Sequence, residues 1–357
     1  MIAKSFTIGM LIVGAILGAG FASGAELISF FGLDTSPIVV AVLVTVLVFL
    51  VSCLFLFLGN KVNKKTISLV NQKVYGKFFF LADAFLLVNS LIILSAMLAA
   101  TNSLGASIFS SSFSPLYAVI IGVICATVSI KGKKGLITAN KFVSPIMIAV
   151  LVFIGLFISI TATGGRGVSF NAGTIWVVII YVSMNMMLAA TVVTTLGKLN
   201  KKIIFLSSGI AAASMGLLVF VLMTALNRYG YVMGSMPTLD MARYIHPAIF
   251  WTMALALAAG IFTTILTAMT GLVAWFEGVF GGKIFSAFTV LAAGFILSNL
   301  GFSTVITLLY PIIGIVGLVY ILFASIYSFK KTKFIKPLTN SNQKNNKIKT
   351  RKTLVQR

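Results

Sequence analysis

The sequence predicts an all-α integral membrane protein of ten transmembrane helices, arranged as a five-plus-five inverted repeat. Three observations lead there. Of the 357 residues, 59% are hydrophobic and only 9% charged, with a mean hydropathy of +1.12. A soluble domain carries about a quarter charged residues. The apolar residues fall in ten continuous stretches, and the basic residues fall almost entirely on one side of them. A cytoplasmic enzyme, a secreted domain and a disordered hub are thereby excluded.

A membrane helix needs about 20 mostly apolar residues. The stretches run roughly over 5–31, 37–59, 78–108, 115–130, 142–161, 174–196, 203–226, 247–273, 284–300 and 303–329. The fourth and ninth are short and the third is long. A β-barrel strand alternates apolar and polar residues over about 10 positions, a pattern these runs lack. Lys4 and the apolar run before Ala22, Ser23 and Gly24 imitate a signal peptide. Apolar character resumes at Leu27, so an uncleaved first span is expected.

The net charge of +22 could point to nucleic acid, but its distribution does not. Alternate connecting segments hold 24 of the 27 Lys and Arg residues; the other set holds only Arg166, Arg228 and Arg243. By the positive-inside rule both termini are cytoplasmic in a cell membrane. The 330–357 tail carries ten basic residues and no acid. It is expected to be mobile and to rest on anionic lipid headgroups. Residues 1–329 form the transmembrane domain, with halves of about 1–161 and 174–329 and the second half upside down. Inverted repeats are characteristic of secondary transporters, whose site lies at mid-membrane between discontinuous helices.

The first span supplies such a discontinuity. Gly14, Gly18, Gly20 and Gly24 fall within eleven residues at its centre. Each Gly costs about 1 kcal/mol of helix stability relative to Ala. Unwound backbone here would offer carbonyls to a cation and N–H groups to a carboxylate. The same spacing also fits close helix packing. Glu26 follows the last Gly by two residues, and an intramembrane carboxylate is a functional candidate. An interfacial Glu that reaches water is the plainer alternative.

The segment GAGFASGAELISFF resembles a signature of the YkvI-type bacterial membrane proteins. That family is of amino-acid permease type, grouped with the amino acid–polyamine–organocation superfamily and its LeuT-like fold. The spacing of Gly14, Gly18 and Gly20 is also similar to the unwound first helix of that fold. The resemblance implies substrate contacts from Gly18, Ala19, Gly20, Phe21, Ser23, Gly24 and Glu26. It implies a sodium site made by the carbonyls of Gly14 and Leu17 with the hydroxyls of Thr263 and Thr264. A depth comparison agrees: Gly14 is tenth and Thr263 eleventh from the cytoplasmic ends of their spans. Ala256, Gly260, Thr263 and Thr267 share one helix face. Threonines bonded to their own helix carbonyls are the plainer alternative. The resemblance also implies a discontinuous sixth helix, lined by Tyr181, Ser183 and Asn185, although no Gly or Pro is present there.

Other polar residues carry less. Asp83 is expected to pair with Lys77 or Lys73, and Glu277 with Lys283. Lys141 is expected to anchor at the interface. Asp240, Arg243 and His246 belong to an outer loop. His246 is the only His, so a zinc site or a Ser-His-Asp triad lacks partners. Cys53 and Cys125 lie within spans and suggest neither disulfide nor metal knuckle. No metal and no cofactor beyond a coupling Na+ or H+ is expected. The expected function is alternating-access transport of a small zwitterionic solute. A sensor or scaffold that kept the fold without transport is the alternative. A channel filter and an intramembrane enzyme cluster are not visible.

Overall fold

A computed structural model describes residues 1–64, 66–109, 114–130, 133–230 and 234–329. The basic tail lies outside them. The first predicted span becomes three pieces: α1 (Ile2–Ile16), α2 (Ala19–Ala22) and α3 (Ala25–Phe31). The second is α4 (Pro37–Val62), opened by Pro37, whose missing N–H costs nothing at a helix start. The segment 60–77, read as a loop, contains α5 (Ile67–Tyr75) before α6 (Phe79–Ile108). Next come α7 (Ser114–Ser129) and α8 (Lys133–Thr161), which extends into the expected 131–141 loop.

The second half begins with α9 (Ala172–Val193), capped by Asn171 Oδ1 accepting from Thr174 N–H at 3.0 Å. It continues with α10 (Lys201–Tyr229), α11 (Pro237–Ile245), α12 (Pro247–Phe280) and α13 (Lys283–Ser298). The last predicted span is α14 (Phe302–Thr304), a π-turn over Val305–Leu309, and α15 (Tyr310–Phe329). Pro311 has no N–H to give the carbonyl four residues back, which favours a widened turn just before it.

Seven helical stretches among the described residues are long and apolar enough to cross a membrane, where the sequence predicts ten. The difference lies in three shorter apolar helices: Ile2–Ile16, Pro115–Ser129 and Lys283–Ser298. The first is cut short where the helix breaks at Leu17; the other two were already the short stretches.

α1 is buried on every side from Ile8 to Ile16, and α9 from Ile180 to Val193. A helix apolar all round belongs in the interior, so this pair forms the axis of the bundle. Around it α10 packs against α4 and α8, α12 against α6 and α8, and α15 along α9. Missing side chains permit the closest approaches. A Cβ at Gly314 would meet the Ile180 carbonyl at 2.5 Å, and one at Gly216 would meet Thr45.

Candidate functional site

The break in the first segment has a defined geometry. Leu17, at φ −71° and ψ 62°, centres an inverse γ-turn in which Gly18 N–H donates to Ile16 O at 2.7 Å. Gly18 N–H is therefore turned from the Gly14 carbonyl, its ordinary helical acceptor. Ala19 N–H points instead to Met97 Sδ at 3.3 Å, a weak acceptor. The chain turns again at Gly24, whose φ of +80° disfavours an L side chain. Ser23 bridges this second turn: its Oγ donates to Gly20 O at 3.2 Å and accepts from Ala25 N–H at 3.3 Å. Ser23 thus caps backbone, and Phe21 is wholly buried outside the cavity wall.

Glu26 points inward. Its side chain is 3% exposed and Oε2 has no hydrogen-bond partner. The carboxylate lies on Gly20, where a Cβ would fall on Oε1. The Asn185 side chain faces the carboxylate, while its Nδ2 donates to Tyr181 O at 3.1 Å. Tyr181 is 1% exposed, its hydroxyl unpartnered, and its ring is held edge-on by Phe30 and Phe31 at 5.2 and 5.1 Å. Glu26 and Asn185 share a cavity of about 20 Å³ with Gly18, Thr264, Met97 and Tyr310. That volume holds about one water molecule.

Thr263 and Thr264 both donate to the Gly260 carbonyl, at 3.0 and 2.9 Å. Their protons are committed within the helix, and their oxygen lone pairs remain acceptors. The Leu17 carbonyl would lie 3.2 Å from a Cβ at Gly260, and Gly18 would meet Thr264 Oγ1 at 3.4 Å. Leu17, Gly18 and Thr264 are thus brought together, with the Gly14 carbonyl one turn earlier.

The expected second discontinuity is corrected. α9 runs unbroken through Tyr181, Ser183 and Asn185. The segment has neither Gly nor Pro, and the Asn185 amide reinforces the helix by bonding back one turn. Ser183 does not enter the cavity wall; its carbonyl packs where a Cβ on Gly317 would stand, at 3.2 Å.

The end of the bundle opposite the lysine-rich loops is closed over this region. Thr238 of α11 donates its hydroxyl to Ala22 O at 2.6 Å and its N–H to Ser23 O at 2.9 Å. These are the carbonyls that α2 leaves open at its end. Asn227 Nδ2 reaches Leu33 O and Arg166 O, at 2.7 and 3.2 Å. Arg243 lies over the Phe250 ring, 4.6 Å from its centroid, and His246 Nδ1 caps α12 by accepting from Ala248 N–H at 3.1 Å. Burial lifts the Asp240 carboxyl above the usual carboxylate range, against the pull of Arg243.

The lysine-rich end instead holds a vestibule of about 410 Å³, between α5, α6, α9 and α12. Asp83 lies in its wall. It is not paired with Lys73 or Lys77: its oxygens accept from Ser68 Oγ and Asn71 Nδ2, each at 2.5 Å. The neutral donors are nearer because α5 folds back over α6. Glu277 and Lys283 stand 3.9 Å apart at the surface, and Lys141 Nζ lies over the Phe142 ring.

Sequence reasoning missed Met97, Ile93 and Tyr310 as cavity residues. Met97 and Ile93 are ordinary apolar residues of a long span and carry no signal. Tyr310 stands before Pro311 in a span, and that pair marked an irregular turn.

No protein-family model and no curated protein matches the chain. Solved structures do. The crystal structure of MhsT in complex with L-phenylalanine aligns with a TM-score of 0.66 at 14% identity, covering 90% of this chain and 86% of MhsT. The inward-facing conformation of Mhp1 aligns with a TM-score of 0.61 at 13% identity, covering 91% and 75%. Both have the LeuT-like fold. This chain shares that fold and is a multi-pass membrane protein.

Proposed function

We propose that the chain is a secondary active transporter of a small zwitterionic solute, an amino acid or derivative, and a YkvI-type membrane protein. The observation that carries the reading is the Glu26 carboxylate, buried against the broken first helix with Oε2 lacking any hydrogen-bond partner. An isolated buried charge is costly, so a cationic group or a proton is its natural complement. In this reading Glu26 receives the solute amine. The solute carboxylate takes the N–H groups of Ala19 and Gly20, displacing the weak Met97 acceptor. Asn185 supplies the polar wall, with Tyr181 buried behind it. The L-phenylalanine held by MhsT supports an amino-acid-sized ligand.

Ten crossing segments, with α1, α7 and α13 as the short ones, give the two inverted halves. The pairings of α1 with α9, α4 with α10 and α6 with α12 join equivalent segments of those halves and support the repeat. The lysine-rich end faces the cytoplasm. A cavity the size of one water cannot hold an amino acid, so admission requires the bundle to open: alternating access.

Coupling is by Na+ at the carbonyls of Gly14 and Leu17 with Thr263 and Thr264, or by H+ on Glu26. A thermal-shift screen of standard amino acids, with and without NaCl, identifies the solute by mass-action stabilisation. Proteoliposome uptake then separates the ions. Thr263→Ala with Thr264→Ala abolishes sodium stimulation if Na+ couples; full stimulation removes that site. Glu26→Gln abolishes uptake and its pH dependence if Glu26 binds the amine or carries the proton. Binding without uptake in any gradient overturns the transporter reading in favour of a sensor.

A further inference from the structure

The vestibule at the lysine-rich end is more than a passage. Its volume of about 410 Å³ falls within the range of small-molecule sites. Its polar wall holds one carboxylate and five hydroxyls, three of which have their protons committed elsewhere. Ser68 commits its proton to Asp83, Thr191 to Leu188 O at 2.7 Å, and Thr270 to Leu266 O at 2.7 Å. These three hydroxyls turn only lone pairs to a ligand, whereas Thr66, Ser90 and the Trp275 indole N–H remain able to donate. Asp83 adds a carboxylate whose two oxygens accept one bond each and keep capacity for more. Among the described residues no Lys, Arg or His lines the space, although the loops around it are rich in Lys. Trp275 offers an aromatic face, on which a cation or a ring can rest, and Leu86 and Val192 supply apolar surface.

We propose that this vestibule is a second solute site, built for an ammonium group on an apolar body, with Asp83 as its anion. The Asp83 carboxylate, with no basic side chain described beside it, repels a second carboxylate, and a neutral hydroxyl brings one donor where an ammonium brings three. The site is separate from the cavity beside Glu26. On α9 and α6 the two are about one helical turn apart, Leu188 and Ile93 lining one, Thr191 and Ser90 the other.

The test uses purified full-length protein, isothermal titration calorimetry and three probes: phenethylammonium, phenylacetate and 3-phenylpropan-1-ol. Wild-type protein binds phenethylammonium in preference to the other two. Asp83→Asn weakens that binding by at least about tenfold, the loss expected for a charge-assisted hydrogen bond. Asp83 also holds α5, so a second variant is needed. A Cβ at Gly271 meets nothing within 4 Å, so Gly271→Phe fills the vestibule without a clash at the backbone. It abolishes binding while its melting temperature stays at the wild-type value. Glu26→Gln retains binding.

Equal affinity for all three probes, or no phenethylammonium binding up to about 10 mM, overturns the proposal. So does unchanged affinity in a folded Gly271→Phe protein. Loss in Glu26→Gln together with retention in Gly271→Phe places the amine beside the broken helix, which also overturns it while favouring the transporter reading. Vestibule binding without uptake in any gradient leaves this proposal standing and removes that reading.

Discussion

At Gly20 the glycine is required by what lies on it. The Glu26 side chain rests against it, and a methyl there would clash with Oε1. Gly20→Ala should therefore push Glu26 out of its buried pose. The expected cost is about 1–3 kcal/mol, the range for overpacking a filled site. A lower melting temperature checks it, and the combination with Glu26→Ala should recover most of the loss because the clash is then gone. Glu26 itself was legible from sequence, since a carboxylate two residues after a glycine cluster is rare in a membrane span. Its companions divide. Asn185 and Tyr181 were visible as polar residues at mid-span. Met97 was not, because nothing in a Met distinguishes a thioether that accepts an N–H from one that fills a gap.

At the scale of elements, the two axial segments behave differently for a reason written in their composition. The first has four glycines in its central eleven residues and breaks twice; the sixth has none between Thr174 and Val193 and stays whole. The resemblance implied a break in both, and composition was the better guide for the sixth. The short helices α5 and α11 were not read from sequence, because each spans two turns or so within a polar connection. They are held by tertiary bonds more than by propensity. α11 matters most through Thr238. Thr238→Val removes the hydroxyl bond to the Ala22 carbonyl and keeps the shape. We expect a loss of about 1 kcal/mol, checked by chemical denaturation. Hydrogen exchange should also rise at residues 22–25 and 237–245 and stay unchanged in α9.

For the whole molecule, ten apolar runs and a one-sided charge distribution carried the architecture, because lipid forces each backbone group into a helix and leaves little else to decide. The vestibule was invisible in sequence: Asp83, Thr191, Thr270 and Trp275 come from three distant segments, and none forms a local motif. The orientation rests on the lysine count and is open to direct measurement. Cys53 and Cys125 are both buried, so single surface cysteines report cleanly. In intact cells, Gly167→Cys should react with a membrane-impermeant maleimide and Lys77→Cys should not; permeabilised cells should show both. The reverse pattern would invert the topology.

The cavity beside Glu26 has a further consequence, one that concerns the idle protein. A space for a single water cannot hold a file of waters, and a proton or ion crosses apolar surroundings only along such a file. The Glu26 carboxylate has no hydrogen-bonded chain leading from Oε2 to either end. If the chain transports as proposed, this closed state makes the empty carrier an electrical insulator, and a membrane filled with it keeps its gradients until the solute opens the bundle.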